Sequence, residues 1–272
     1  MPDSKPPLGQ DSAYPCTYSP DLLCPIARND ARQGIGICAD LPFHGTDVWN
    51  AWDLTWLGAA NRPAVATAQI LVPADSPNLI ESKSLKLYLN SFSMSPFDGA
   101  SAVAETIAGD LGACLGAPIE VRVTPVAETE NNLIARLAGT CIDFTEVQCS
   151  SWEVDAGLLQ VNDNDIVTED LHSHLLRSEC PVTSQPDIGS VQIRYRGPRI
   201  APESLLRYIV SFRQHKDFHE ACIERMFVDI VQRCKVDRLS IYGRYQRRGG
   251  IDINPFRSNF EACPRNLRLW RQ

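Results

Sequence analysis

Apolar and polar positions along this chain follow two different periods. Ile119 to Val126 alternates apolar with polar residues, as a half-buried strand does. Val65 to Val72 reads as a strand as well, closed by a turn over Pro73 to Asn78. Ala102 to Leu115 predicts a helix. Asp217 to Cys234 is the clearest one, because Phe218, Cys222, Met226, Phe227, Ile230, Val231 and Cys234 fall on one face at helical spacing. Ser190 to Arg196 and Leu239 to Tyr245 read as strands, and Gly197 to Pro202 as a turn. Leu85 to Ser91 is open between strand and helix on periodicity alone. Leu41 to Trp49, with Trp52 and Trp56 close by, has the aromatic spacing of a packed segment.

Two stretches break the pattern. Residues 1 to 40 are rich in Pro, Asp and Ser with little periodicity, and read as an extended arm with short turns. Residues 151 to 170 are polar and acidic, and predict the boundary between two halves. A weak repeat supports two halves. With a two-residue gap, Glu81-Ser82 matches Glu203-Ser204, and Tyr88, Ser91 and Phe92 match Tyr208, Ser211 and Phe212. The expected division is an arm over 1–40, a first domain over 41–160 and a second over 161–272.

Composition narrows the class. At 272 residues, 44% hydrophobic and 22% charged, the chain has a globular balance with enough length for two domains. Residues 1 to 15 carry no apolar run of signal-peptide length, and no stretch approaches the roughly 20 residues that span a bilayer. A cytoplasmic location without membrane contact is the expectation. The ten cysteines are irregularly spaced and include no C-x-x-C pair, so free thiols packed as small hydrophobes are expected. The net charge of −7 argues against tight nucleic-acid binding. From Lys235 to Gln272, however, nine Lys/Arg face three Asp/Glu, which suits a small phosphorylated ligand or simply a solvated surface.

Four clusters carry candidate chemistry. Glu81, Ser82, Lys83 and Ser84 precede an apolar segment that runs to Phe92. Cys180 opens Cys-Pro-Val-Thr-Ser-Gln-Pro-Asp, a turn-forming polar stretch that predicts a sulfur near solvent, where thiolate chemistry is possible. A lone cysteine is more often a buried hydrophobe. Asp187 ends that stretch and is equally suited to capping the turn. In Phe218-His219-Glu220, Asp217 at N-cap and Glu220 at N3 would form a capping box. The fourth cluster runs from Arg247-Arg248-Gly249-Gly250 to Pro255; its glycines let backbone approach a phosphate that an arginine can fork. Lys86 fits the first cluster or ordinary strand patterning. Gly34-Ile35-Gly36-Ile37-Cys38-Ala39 spells a dinucleotide fingerprint, but the strand it requires is missing before it.

Together and in this order, the four clusters resemble the long form of the 7-cyano-7-deazaguanine reductases, over most of the chain from Leu41 onward. The resemblance implies an α+β fold of two tandem tunnelling-fold domains, antiparallel sheets with helices on one face, in a homodimer. It implies NADPH-dependent reduction of a nitrile to a primary amine on the way to queuosine in tRNA. Cys180 is implied as the nucleophile on the nitrile carbon and Asp187 as the proton donor to nitrogen. Ile80, Glu81, Ser82, Phe218, His219 and Glu220 are implied to bind 7-cyano-7-deazaguanine. Ser82, Lys83, Arg248 and Gly249 are implied to hold NADPH, and no metal is needed. Two other enzyme classes compete: a nitrilase-type hydrolase, and a zinc enzyme resembling GTP cyclohydrolase that would use a set such as Cys180, His219 and Cys222. A non-catalytic purine-binding module is the third alternative.

Overall fold

A computed structural model describes residues 14–38, 40–129 and 134–272. In chain order its elements are β1 (Pro25–Ala27), α1 (Asn29–Gly34), β2 (His44–Leu57), β3 (Pro63–Pro73), β4 (Asn78–Ile80), α2 (Ser82–Ser91), α3 (Gly99–Leu115) and β5 (Glu120–Pro125). There follow β6 (Thr140–Cys141), β7 (Val161–Glu179), β8 (Pro186–Ile200), α4 (Pro202–Ser211), α5 (His219–Cys234), β9 (Arg238–Tyr245) and β10 (Ile251–Ser258). The architecture is α+β with predominantly antiparallel strands, as expected for tunnelling-fold domains. The chain forms two compact units, each assembled from three separate segments.

The first unit holds described residues 14–30, 48–129 and 247–252. Its strands follow the order β5–β3–β2, and β3 pairs antiparallel with β5 from Ala66/Pro125 to Leu71/Glu120. Alternation along β3 puts Ala66, Ala68, Ile70 and Val72 inward. Helix α3 packs on β5 and β4 through Val103, Ile107, Leu111 and Leu115, a row repeating every four residues. Burying each such aliphatic side chain contributes about 1.5–3 kcal/mol, which outweighs the modest propensity of a helix containing three glycines. On β2, Trp49 and Trp56 are buried, as their spacing suggested.

The second unit holds residues 31–38, 40–47, 134–246 and 253–272. Its strand order is β10–β9–β8–β7–β6, antiparallel except for the parallel pairing of the two-residue β6 with β7. Helix α5 packs on β9 and β8, and α4 on β7. Arg257, fully buried, binds Asp47 (2.7 Å) and Glu224 (2.8 Å); Arg32 of α1 grips the same Glu224 with two bonds of 2.8 and 2.9 Å. Removing one partner of such a buried network costs about 3–5 kcal/mol, because it strands the other charge.

Several expectations are corrected. Residues 25 to 34 are not an extended arm: β1 pairs with β4, and α1 follows it directly. Residues 1–13 lie outside the described residues. The fingerprint-like Gly34-Ile35-Gly36 follows a helix rather than a strand, which removes its phosphate-binding context; its Ala39 lies outside the described residues. Leu85 to Ser91 is helical, because Glu81 caps the segment and its apolar face packs inward. The stretch 151–170 contains the start of β7 at Val161. It reads as polar because the first half of β7 is largely solvated, as antiparallel strands often are on one face. Gly197 to Pro202 is no turn: pairing of β8 with the long β7 continues to Val161/Ile200, and α4 begins at Pro202.

Candidate active site

In the second unit, hairpin geometry brings Cys180 and Asp187 together. The β7–β8 ladder closes with Ser178 opposite Asp187 and Glu179 opposite Pro186. The intervening turn is held by the Cys180 N–H donating to the Gln185 carbonyl (2.9 Å) and the Ser184 N–H donating to the Cys180 carbonyl (3.0 Å). Cys180 is only 5% exposed, which corrects the expectation of a sulfur near solvent. The prolines and polar residues form the outside of the turn, while its first residue faces inward. Asp187 is equally buried, at 5%.

The strand end also recruits the start of α5. The Glu179 N–H donates to the His215 carbonyl (2.8 Å), and the Asp217 N–H donates to the Glu179 carbonyl (3.2 Å). This short pairing delivers Phe218, His219 and Glu220 to the same end of the sheet. His219 Nε2 lies 3.4 Å from Asp187 Oδ1, and its ring lies against Tyr245 with centroids 3.9 Å apart. The capping box is not formed. Phe218 occupies the N-cap position and donates its N–H to Asp217 Oδ1 (2.8 Å), so Glu220 is the second helical residue rather than the third. Its buried carboxylate is therefore not explained by helix capping.

Neighbouring groups stay neutral. Burial, and then the nearby Asp217 carboxylate, push the Cys222 thiol well above its ordinary range, which leaves it unsuited to act as a nucleophile. Burial likewise holds the Tyr245 phenol protonated. Cys180, His219 and Cys222 do not form a set with metal-ligand spacing; among the described residues that spacing belongs to Cys141, His172 and His174. No motif in the sequence singles out these three. Their one legible signal is His172-Ser173-His174, which places two imidazoles on the same face of a strand.

The first unit gathers the other predicted residues around the start of α2. Ile80 ends β4, and Glu81, fully buried, is the N-cap: its carboxylate accepts from the Lys83 N–H (2.8 Å) and the Ser84 N–H (2.7 Å). Ser82 and Lys83 form the first turn and are half-buried. Between β9 and β10, Arg248 and Ile251 exchange backbone hydrogen bonds across Gly249 and Gly250. Gly249 has φ +62°, and a side chain there would meet the Lys86 aliphatic stem at 3.2 Å. The glycine thus lets the turn close onto α2, so Arg248, Gly249 and Lys86 share one patch. Arg247 is pinned beside it, 2.6 Å from Asp53 and over the Trp52 ring.

Comparison with known proteins shows the family. A family model described as "Nitrile reductase, 7-cyano-7-deazaguanine-reductase N-term" matches residues 14–123, and one described as "QueF-like protein" matches residues 186–263. The NADPH-dependent 7-cyano-7-deazaguanine reductase of an Azoarcus species is 52% identical over 254 residues, covering 93% of this chain and 90% of that protein. The proteins of the same name from Paraburkholderia phymatum and Paraburkholderia xenovorans are each 48% identical over 274 residues, covering both chains completely. The chain belongs to the 7-cyano-7-deazaguanine reductase family. Both family-model matches include candidate residues: the first spans Ile80 to Lys86, and the second spans Asp187, Phe218 to Glu220, Arg248 and Gly249. Cys180 lies six residues before the second match and within the aligned length of the full-length relatives.

Proposed function

We propose that this protein reduces the nitrile of 7-cyano-7-deazaguanine to the primary amine at the expense of NADPH, as a step toward queuosine in tRNA. The reading rests on one observation above all. A single hairpin presents a buried cysteine and a buried carboxyl, with an imidazole 3.4 Å from that carboxyl, in a chain about half identical to reductases of that name.

Cys180 attacks the nitrile carbon, and the developing negative charge on nitrogen takes a proton from Asp187, giving a covalent thioimide. His219 orients that carboxyl and, backed by Tyr245, lines the substrate position. Glu220 accepts from the ring N–H and amino donors of the substrate, and Phe218 offers a face for stacking. Ile80, Glu81 and Ser82 are the first unit's substrate-binding residues. Glu81 already accepts two N–H bonds, but a carboxylate offers about four lone-pair sites and keeps capacity for a ligand. Ser82, Lys83, Arg248 and Gly249 hold the cofactor, a fit supported by cationic side chains around a positive-φ glycine turn that suits a phosphorylated ligand. NADPH, when bound, supplies hydride, one equivalent to the thioimide and one to the imine left after sulfur departs. The domain division near residue 160, a homodimer and a cytoplasmic location belong to the same reading. No helix among the described residues is long and apolar enough to cross a membrane.

The test is NADPH oxidation by purified protein with 7-cyano-7-deazaguanine, beside Cys180→Ala. Two NADPH oxidised per nitrile, abolished in the variant, is the expected result. Intact substrate, or hydrolysis to the acid without NADPH oxidation, overturns the assignment.

A further inference from the structure

Away from Cys180, the second unit contains a cavity of about 650 Å³ bordered by Cys141, His172, His174, Phe144, Trp270 and Arg271. Three of these side chains carry metal-binding atoms. The Cys141 sulfur and imidazole nitrogens of His172 and His174 all lie within 4.8 Å of one another. Strand geometry produces the cluster. His172 and His174 are two residues apart on β7 and share a face, and Cys141 of β6 is the register partner of His172.

The imidazoles are also oriented from behind. His172 Nδ1 is 3.0 Å from the Ala138 carbonyl, which can only accept, so Nδ1 carries the proton and Nε2 keeps its lone pair. His174 Nδ1 is 2.7 Å from Ser190 Oγ. Such outer hydrogen bonds fix ring orientation and tautomer at metal centres. Asp143 holds the frame by accepting from Ser173 Oγ (2.6 Å) and from the His174 N–H (3.0 Å). Gly139 (φ +82°) packs against the Asp170 carbonyl where no Cβ fits, which lets the Ala138 carbonyl reach His172.

We propose that Cys141, His172 and His174 bind one divalent transition-metal ion, Zn²⁺ by their donor set, with the fourth position facing the cavity and held by water. One thiolate with two imidazoles is the borderline-soft set that Zn²⁺ favours over hard cations. Ligand atoms around tetrahedral Zn²⁺ stand roughly 3.3–3.7 Å apart, so small side-chain rotations close this set. The ion ties β6 to the sheet. That strand has only two residues, and its further backbone tie is the Ile142 N–H donating to the His172 carbonyl (3.0 Å). His174 lies six residues before Cys180, about 20 Å along an extended strand, so the ion plays no part in nitrile reduction.

The experiment titrates the full, chelator-treated chain with Zn²⁺ or Co²⁺ alone. One ion per chain is expected, with a thiolate-to-cobalt charge-transfer band that Cys141→Ser abolishes. His172→Gln and His174→Gln should each weaken binding by about tenfold or more. In the unmutated protein Zn²⁺ should protect Cys141, and not the other cysteines, from iodoacetamide, read by peptide mass mapping; this arm needs no variant to fold. Failure to retain an ion, uptake indifferent to Cys141→Ser, or alkylation of Cys141 indifferent to Zn²⁺ overturns the proposal. NADPH oxidation, unchanged by loading, keeps this outcome separate from that of the proposed activity.

Discussion

Helices α2 and α4 are built alike and differ at one end. Each has ten residues and runs into a short 3₁₀ turn. Ser84 and Ser204 each donate a hydroxyl to the carbonyl three residues back, at 2.7 and 2.8 Å. Ser91 and Ser211 do the same to Tyr88 and Tyr208, both at 2.6 Å. Tyr88 reaches Asp110 on α3 (2.5 Å), and Tyr208 reaches Asp229 on α5 (2.7 Å). Tyr88 and Phe92 meet edge to face at 5.2 Å, and Tyr208 and Phe212 at 5.4 Å. These equivalences correct the gapped repeat read from the sequence, since Ser84 corresponds to Ser204 without any gap. Glu81 therefore corresponds to Ala201, Lys83 to Glu203 and Lys86 to the buried Leu206. The duplicated scaffold is the serine–tyrosine–aspartate lattice, and the first turn is where the copies diverged. One copy carries a capping carboxylate and two lysines, and the other a bare alanine followed by proline.

If the units have divided the chemistry, variants should separate along the same line. The largest effect is expected for Asp187→Asn, which removes the proposed proton source. NADPH oxidation should fall by about 10²–10⁴-fold while substrate still binds, as measured by turnover against calorimetric titration. Next, Lys83→Ala in the diverged turn should raise the KM for NADPH by about tenfold and leave that for the nitrile near its original value. An equal rise in both would break the assignment of Lys83 to the cofactor. The shared lattice should answer to stability instead. Tyr208→Phe is expected to cost about 1–2 kcal/mol in denaturant unfolding, whereas Tyr88→Phe should cost less, because Tyr18 still donates to Asp110 (2.7 Å). The smallest effect tests the bare cap. Ala201 has φ −63° and ψ 121°, close to the −66° and 127° of Glu81, so Ala201→Ser should add about 0.5–1 kcal/mol without affecting turnover.

The two kinds of residue were also unequally legible in the sequence. Alternation in β3 and β5 and the apolar rows of α3 and α5 follow from backbone period alone, and those elements stand close to where the pattern put them. The α2 segment was ambiguous because ten residues are too few for periodicity to decide, and only its cap and packing make it helical. The capping box at α5 failed for a related reason. The pairing of residues 215–217 with the end of β7 starts the helix later than Asp217 alone would have done.

By itself the sequence determined the element types of the long periodic segments and the identity of the candidate side chains, because period and functional-group chemistry are local properties. It also carried the order of four clusters that marks the family. Tertiary structure decided which of those side chains meet. Cys180 is buried because a hairpin turns it inward, and Asp187 faces His219 because a strand end captures residues 215–217. Cys141 joins His172 and His174 only through strand register. Pairing, register and the burial that follows from them arise between segments far apart in the chain, where no local pattern records them.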